Sequence, residues 1–278
     1  MERKVTIGES LQVILGDSSE EMKYLPDGSV DLIITSPPYA DARKNDYGGV
    51  HPDDYVEWFR PFSQQMLRVL TDGGSLVLNI KERVVNGERS LYVYDLVRMM
   101  REEGWLWTEE YLWHKTSTAP GKWPNRFRDS WEHLYHFTKN RKFKMNQDSV
   151  RVPIGDWAKS PSENRRTAER QDSKTGSGVG LSRKGLHLRD TVYPSNVLHG
   201  PSETRNRGHS AAFPTWIPEF FIKLFSDEGD TVLDPFLGSG TTLEAAGNLQ
   251  RKGIGIEYLE KYYEVALERI EKSREEKQ

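Results

Sequence analysis

Apolar positions along this chain fall into short, nearly unbroken runs that alternate with stretches of helical spacing. Runs at 11–15, 30–34, 75–80, 231–233 and 253–256 are bounded by Gly, Pro, Asp and Ser. Such runs read as strands covered on both faces. Aromatic-rich runs at 105–113 and 132–137 predict two further strands, paired with each other. Between these lie helical patterns. Tyr55, Trp58, Phe59, Phe62, Met66, Leu67 and Leu70 recur at three- and four-residue steps over 54–70, with Asp72-Gly73-Gly74 as the stop. Helices are also predicted at 90–103, at 213–225 behind Pro214, from 241 through 249, and at 259–273. Asp17 or Ser18 is suited to cap a helical segment at 19–25. Strands alternating with helices predict an α/β fold around a mostly parallel sheet.

Composition narrows this picture. At 278 residues the chain is one large domain, or one domain with an insertion, and it is long enough for a full core. Only 36% of residues are hydrophobic and 29% are charged, so part of the chain is loop. A net charge of −3 excludes a uniformly basic nucleic-acid binder, so any such role falls to local patches. No run approaches the ~20 apolar residues of a membrane span. The first residues hold no apolar signal core, and a soluble, cytoplasmic protein is the expectation. With no cysteine, disulfides and thiolate metal sites are excluded, and the histidines show no metal spacing.

One stretch departs from the rest. Residues 139–189 carry 13 Lys or Arg against 5 Asp or Glu, a local balance of about +8. Its polarity fits a disordered linker, or a nucleic-acid-contacting insertion built on Arg165, Arg166, Arg183 and Lys184. A basic, aromatic loop at 120–128 adds Lys122, Arg126 and Arg128 as candidate phosphate contacts. The polar, glycine-bearing stretch 40–53 is a candidate mobile loop.

Two motifs carry chemistry. The first, Thr35-Ser36-Pro37-Pro38-Tyr39, closes the 30–34 strand. Its prolines fix φ and donate no hydrogen bond, so the turn is rigid and its carbonyls are free to accept. It suits a site that holds an NH2 group against an aromatic ring. The second is Asp234-Pro235-Phe236-Leu237-Gly238-Ser239-Gly240-Thr241-Thr242, between a strand and a helix. Glu257 ends the next strand about 20 residues on, where an acid binds ribose hydroxyls. A dinucleotide fingerprint has a third glycine three positions on, where this chain has Leu243. That argues for a cofactor with an amino-acid tail. Asp17, beyond the carboxyl end of the 11–15 strand, is placed to meet a ligand, to cap a helix, or both.

These motifs, in this order, resemble the S-adenosylmethionine-dependent DNA amino-methyltransferases of the permuted β group, and most of all the N4-cytosine-specific enzymes. The resemblance spans roughly residues 10–138 and 208–272. It implies a Rossmann-like seven-stranded methyltransferase sheet with circularly permuted motif order. The catalytic domain would comprise 1–138 and 201–278, with a basic target-recognition region at 139–200. It implies that Phe236, Gly238 and Gly240 wrap S-adenosylmethionine, with Phe213, Thr35, Thr241 and Thr242 around them. Asp234 would lie near the methionine amino group, Glu257 at the ribose, and Asp17 at the adenine amine. Ser36 and the Pro37 carbonyl would accept from the target amine, with Pro38 stiffening the turn and Tyr39 stacking on the base. It implies no metal, duplex DNA as partner, a cognate restriction endonuclease beside it, and a monomer or weak homodimer in a prokaryotic, nucleoid-associated setting.

Attack of an amine on a sulfonium methyl is an in-line displacement governed by alignment. Acceptors on the NH2 protons free its lone pair, and the base must leave the duplex to reach them. No histidine or carboxylate within the motif is an evident base. Cytosine C5 chemistry needs a cysteine nucleophile, which the chain lacks. In the resembled family Ser at the first motif position goes with cytosine N4, and Asp or Asn with adenine N6. The alternatives are adenine N6, an RNA base, or a degenerate fold serving as a DNA-binding subunit. His114 and His133 read as structural residues at strand ends.

Overall fold

The computed structural model describes residues 3–41, 49–118, 124–153, 191–202 and 214–276. In chain order the elements are β1 (Lys4–Ile7), β2 (Leu11–Leu15), α1 (Ser18–Glu21), β3 (Val30–Thr35), α2 (Tyr55–Val69), β4 (Leu70–Ile80), β5 (Val84–Val85), β6 (Glu88–Arg89), α3 (Tyr92–Glu102), β7 (Leu106–Lys115), β8 (Trp131–Thr138), β9 (Val152–Pro153), β10 (Thr191–Val192), β11 (Val197–Gly200), α4 (Trp216–Phe225), β12 (Thr231–Asp234), α5 (Thr241–Asn248), β13 (Lys252–Glu257) and α6 (Glu260–Glu275).

Among the described residues the main sheet has the order β1-β2-β13-β12-β3-β4-β8-β7-β11. Its inner seven strands are those that the apolar runs predict. From β2 to β4 they are mutually parallel, and β8 runs against both neighbours. The edges hold two strands that the pattern did not mark. Short β1 folds back on β2, and β11 adds in parallel to β7. Short edge strands of this kind shield the unpaired backbone of a sheet.

Alternation along β8 shows how the two faces are covered. Tyr135 and Phe137 join the core under α2 and α3, where Phe59, Met66, Leu96 and Met100 are fully buried. His136, one residue out of phase, stacks on Phe225 of α4 at 4.3 Å. A second cluster joins Val13 and Leu11 of β2 to Leu243 of α5 and to Tyr263, Ala266 and Ile270 of α6. β4 starts earlier than its glycines suggest. It pairs from Leu70, and the register slips before Ser75, so residues 71–74 form a bulge instead of a stop. Asp72 and Gly73 are exposed and Gly74 is buried against Leu70, where a Cβ would lie 2.7 Å away, so the glycines allow this irregular backbone.

The chain divides into two compact units, 1–146 with 195–278, and 147–194. Residues 139–146 belong with the sheet. Lys139 Nζ donates to the Leu70 carbonyl, Asn140 Nδ2 to the Asp72 carbonyl at 3.0 Å, and the Asn146 amide to the Leu224 carbonyl at 2.6 Å. On the return, the Asn196 carbonyl accepts from the Leu112 amide at 2.8 Å. In the second unit, β9 and β10 pair antiparallel and the Arg151 guanidinium lies 4.6 Å from the Tyr193 ring.

Candidate active site

Strand pairing unites the two motifs. In adjacent β3 and β12, Leu32 lies opposite Val232 and Ile33 opposite Leu233. The chain proceeds from β3 outward to β4 on one side, and from β12 to β13 on the other. This is the switch point, where open α/β sheets bind ligands. Thr35 Oγ1 donates to Asp234 Oδ1 at 2.8 Å across 199 residues of sequence, and both residues are buried. Thr242 Oγ1 donates to Asp234 Oδ2 at 2.6 Å, and the Phe236 amide to Oδ1 at 3.1 Å. Burial pushes the Asp234 carboxyl up to about 6, against the lowering effect of these bonds.

The glycine loop follows. Gly238 and Gly240 have φ of 55° and 85°, which disfavours L side chains. A Cβ on Gly240 would lie 3.1 Å from Ala266, so the turn presses on α6 as it enters α5. Thr241 Oγ1, at the start of α5, is buried without a hydrogen-bond partner. Glu257 ends β13 with its carboxylate buried. Its Oε2 accepts from the Gly238 amide at 2.7 Å and its Oε1 from the Leu259 amide at 2.9 Å. The Gly16 amide donates to the Glu257 carbonyl at 2.9 Å, which sets Asp17 on the same edge. Asp17 is exposed and caps α1, accepting from the Ser19 amide at 2.8 Å. Phe236 packs against Trp58, Phe59 and Phe62 of α2, with centroids 5.0–6.3 Å apart.

The first motif is held differently. Tyr55 donates its hydroxyl to the Pro38 carbonyl at 2.8 Å, which pins the turn to α2. Among the described residues the Pro37 carbonyl takes no such bond. Tyr39 is partly buried. Its hydroxyl lies 2.8 Å from Glu132 Oε2, 3.1 Å from Asn79 Oδ1 and 3.5 Å from Ser36 Oγ. Burial, then the Glu132 charge, raises the Tyr39 phenol well above its ordinary range, so it stays protonated. Glu132 is itself ion-paired to Lys115 and accepts from Asn79 Nδ2 at 3.1 Å.

Asn79, Lys115 and Glu132 are the residues that motif reading missed. A signal was present. Glu132 sits inside the run Trp-Glu-His-Leu-Tyr-His-Phe, and a carboxylate in a buried strand is seldom there for packing. His133 is clamped elsewhere, with Nδ1 2.6 Å from Glu110 and Nε2 3.4 Å from Glu82. Burial would lower its pKa, but these carboxylates raise it. His114 faces His199 at 3.0 Å. Arg128 is exposed, Phe127 beside it is 95% exposed, and Arg126 lies near Asp129. Lys122, Arg165, Arg166, Arg183, Lys184 and Phe213 lie outside the described residues. No helix among the described residues is long and apolar enough to cross a membrane.

Known proteins share both the sequence and the fold. The type II methyltransferase M.PvuII of Proteus hauseri is 30% identical over 269 residues, covering 89% of this chain and 80% of its own length. M.SmaI of Serratia marcescens is 26% identical, covering 95% of this chain and 92% of its own. A solved structure titled as the PvuII cytosine-N4-specific DNA methyltransferase superposes with a TM-score of 0.71 at 26% identity, over 96% of this chain and 91% of that one. A putative DNA modification methylase of Thermus thermophilus, solved with S-adenosyl-L-methionine, shares the fold at a TM-score of 0.62 and 23% identity, over 94% and 95%. The N6/N4 DNA methylase family model matches residues 30–268, which takes in both motifs and the switch point between them, and the chain belongs to that family.

Proposed function

We propose that this DNA methyltransferase transfers a methyl group from S-adenosylmethionine to the N4 amine of a cytosine flipped out of duplex DNA, at a short specific sequence. The observation that carries this reading is the Thr35–Asp234 bond, which joins a rigid amine-accepting turn to a nucleoside-type glycine loop. The residues present fit the cofactor. Buried Glu257 at the end of β13 is placed to meet ribose hydroxyls, and exposed Tyr258 beside it offers a ring to a purine. Buried Asp234 suits an ammonium, and the unpartnered Thr241 hydroxyl suits a polar tail group. The cofactor supplies a methyl on a sulfonium, an electrophile that needs no further activation.

The chain's own residues then align and polarise. Ser36 Oγ and the Pro37 carbonyl accept from the target NH2, which localises the nitrogen lone pair for attack. Nitrogen gains the methyl, sulfur keeps the electron pair of the broken bond, and the amine sheds a proton. The Tyr39 ring offsets part of the stacking lost on flipping, worth roughly 1–3 kcal/mol. Ser36 in the first motif position, and the absence of cysteine, support N4 over N6 and over C5. Residues 147–194, the second compact unit within the expected 139–200 region, would read the target, with Lys122, Arg126, Arg128, Arg165, Arg166, Arg183 and Lys184 on phosphates. Because M.PvuII and M.SmaI are named type II methyltransferases, a restriction endonuclease acting at the same site is the partner we propose, in the cytoplasm of a prokaryote.

The test is nucleoside mass spectrometry on unmethylated plasmid DNA after incubation with protein and S-adenosylmethionine. N4-methylcytosine is expected. N6-methyladenine would overturn the assignment of the base and keep the site. Tyr39→Ala should lose turnover and keep cofactor binding, and a fully active variant would refute the stacking role.

A further inference from the structure

Three side chains, from two strands and one turn, meet at Tyr39, and their donor and acceptor character leaves one consistent arrangement. Asn79 Nδ2 donates to the His133 carbonyl at 3.0 Å and to Glu132 Oε2 at 3.1 Å. That fixes the amide so that its Oδ1, an acceptor, faces the Tyr39 hydroxyl at 3.1 Å. Glu132 Oε2, also an acceptor, faces the same hydroxyl at 2.8 Å. Lys115 is ion-paired to Glu132 through Oε1 and orients it. Tyr39 has one hydrogen and two acceptors before it. Its hydrogen therefore points inward, and its oxygen is left to accept from Ser36 Oγ at 3.5 Å. Once Ser36 donates to Tyr39, its remaining lone pairs face outward, where the resemblance puts the substrate.

We propose that Glu132 is a positioning residue that sets the direction of a Ser36–Tyr39–Glu132 hydrogen-bond chain. Ser36 thereby presents an acceptor to the target base, and the site selects an exocyclic amine over an exocyclic oxygen. This rests on the reading of Ser36–Tyr39 as the amine site. A serine hydroxyl is amphoteric, so alone it would serve a carbonyl as well as an NH2. The carboxylate two bonds away removes that ambiguity. A base with oxygen in place of the amine would meet the Ser36 lone pairs with lone pairs of its own, and buried acceptors left unpaired discriminate strongly. Glutamine at 132 is nearly isosteric but removes one of the two acceptors that fix the order. With its oxygen held by Lys115, its NH2 faces both Tyr39 and Asn79 and gives Tyr39 a donor where it had an acceptor.

The experiment uses the full chain, tritiated S-adenosylmethionine, and a duplex spanning the site that the wild type methylates. E132Q, Y39F and the double variant are compared. Each single variant should lose at least tenfold in kcat, with cofactor affinity by calorimetry within twofold of wild type. The double variant should be no slower than the worse single one within twofold, because on this proposal Glu132 reaches Ser36 only through the Tyr39 hydroxyl. A competing duplex whose target amine is replaced by oxygen should bind more weakly than the cognate duplex to wild type, and the gap should narrow in both variants. Should E132Q fail to fold, Y39F alone must still narrow that gap. Additive losses, wild-type kcat in E132Q, or an unchanged gap would overturn the proposal. Ser36→Ala separates it from the underlying reading. A fully active S36A sinks the amine site itself, whereas an inactive S36A beside a normal E132Q sinks only the role of Glu132.

Discussion

The two halves of the sheet edge are held together by different means. On the cofactor side, apart from the Thr35 hydroxyl on Asp234 across 199 residues, the bonds to the two acids are short in sequence. Asp234 accepts from Phe236 two residues on and Thr242 eight residues on, and Glu257 from Leu259 two residues on and Gly238 nineteen residues away. Three of these four donors are backbone amides, two of them from the glycine loop itself. On the amine side, Tyr39 reaches Asn79 and Glu132, 40 and 93 residues away, through side chains alone. A loop that satisfies its own acid announces itself as a motif, whereas a residue oriented by distant strands does not. The cofactor half should accordingly tolerate side-chain change outside its motif, and the amine half should not.

The sharpest way to break this contrast is Ser36→Ala. Removing the one motif side chain placed to accept from the amine should lower kcat on the order of 100-fold. The apparent affinity for S-adenosylmethionine should stay within about twofold, as equilibrium binding would show. Gly240→Val should do the reverse. A β-branched residue in the left-handed region costs roughly 1–2 kcal/mol before any clash with Ala266. Cofactor affinity should therefore fall about tenfold while DNA retention in a gel-shift assay persists. A comparable loss of both activities in either variant would mean that the halves are one unit.

How much of this was legible follows from the same contrast. The inner strands, both motifs and Glu257 are encoded by local patterns, and the structure has them where period and spacing predict. β1 and β11 were not, because a short edge strand needs no apolar run. Glu132 was visible as an oddity, but its partner Tyr39 could not be named. That pairing depends on β4 and β8 being antiparallel neighbours, with Asn79 opposite Leu134. Periodicity reports burial and says nothing of which strand lies beside which.

The smallest effect concerns Asp234. Burial raises its carboxyl to about 6, so it is mostly ionised at pH 7 and half protonated at pH 6. Protonation removes its attraction for an ammonium. Cofactor affinity should be about twofold weaker at pH 6 than at pH 7, and Asp234→Asn should flatten that dependence. Folding stability runs the other way. A carboxyl whose folded value exceeds its unfolded one contributes stability fully below about 4, and loses it as pH rises through about 6. The free protein should therefore gain from this group in thermal melts as pH falls across that window, unless the variant behaves alike.

The anchoring of residues 139–146 and Asn196 carries a further consequence. The chain leaves the sheet unit at Asn146, bonded to Leu224, and returns at Asn196, bonded to Leu112. Both ends of the excursion are tied down, one by helix α4 and the other by strand β7. For a chain with fixed ends, closure entropy grows only logarithmically, by about 0.6 kcal/mol for each doubling of length. The methyl-transfer machinery is thus nearly blind to how long the intervening segment is. A chain sharing this core is free to lengthen, shorten or exchange that segment, and on the proposed reading the DNA sequence addressed with it, while the chemistry at the switch point stays the same.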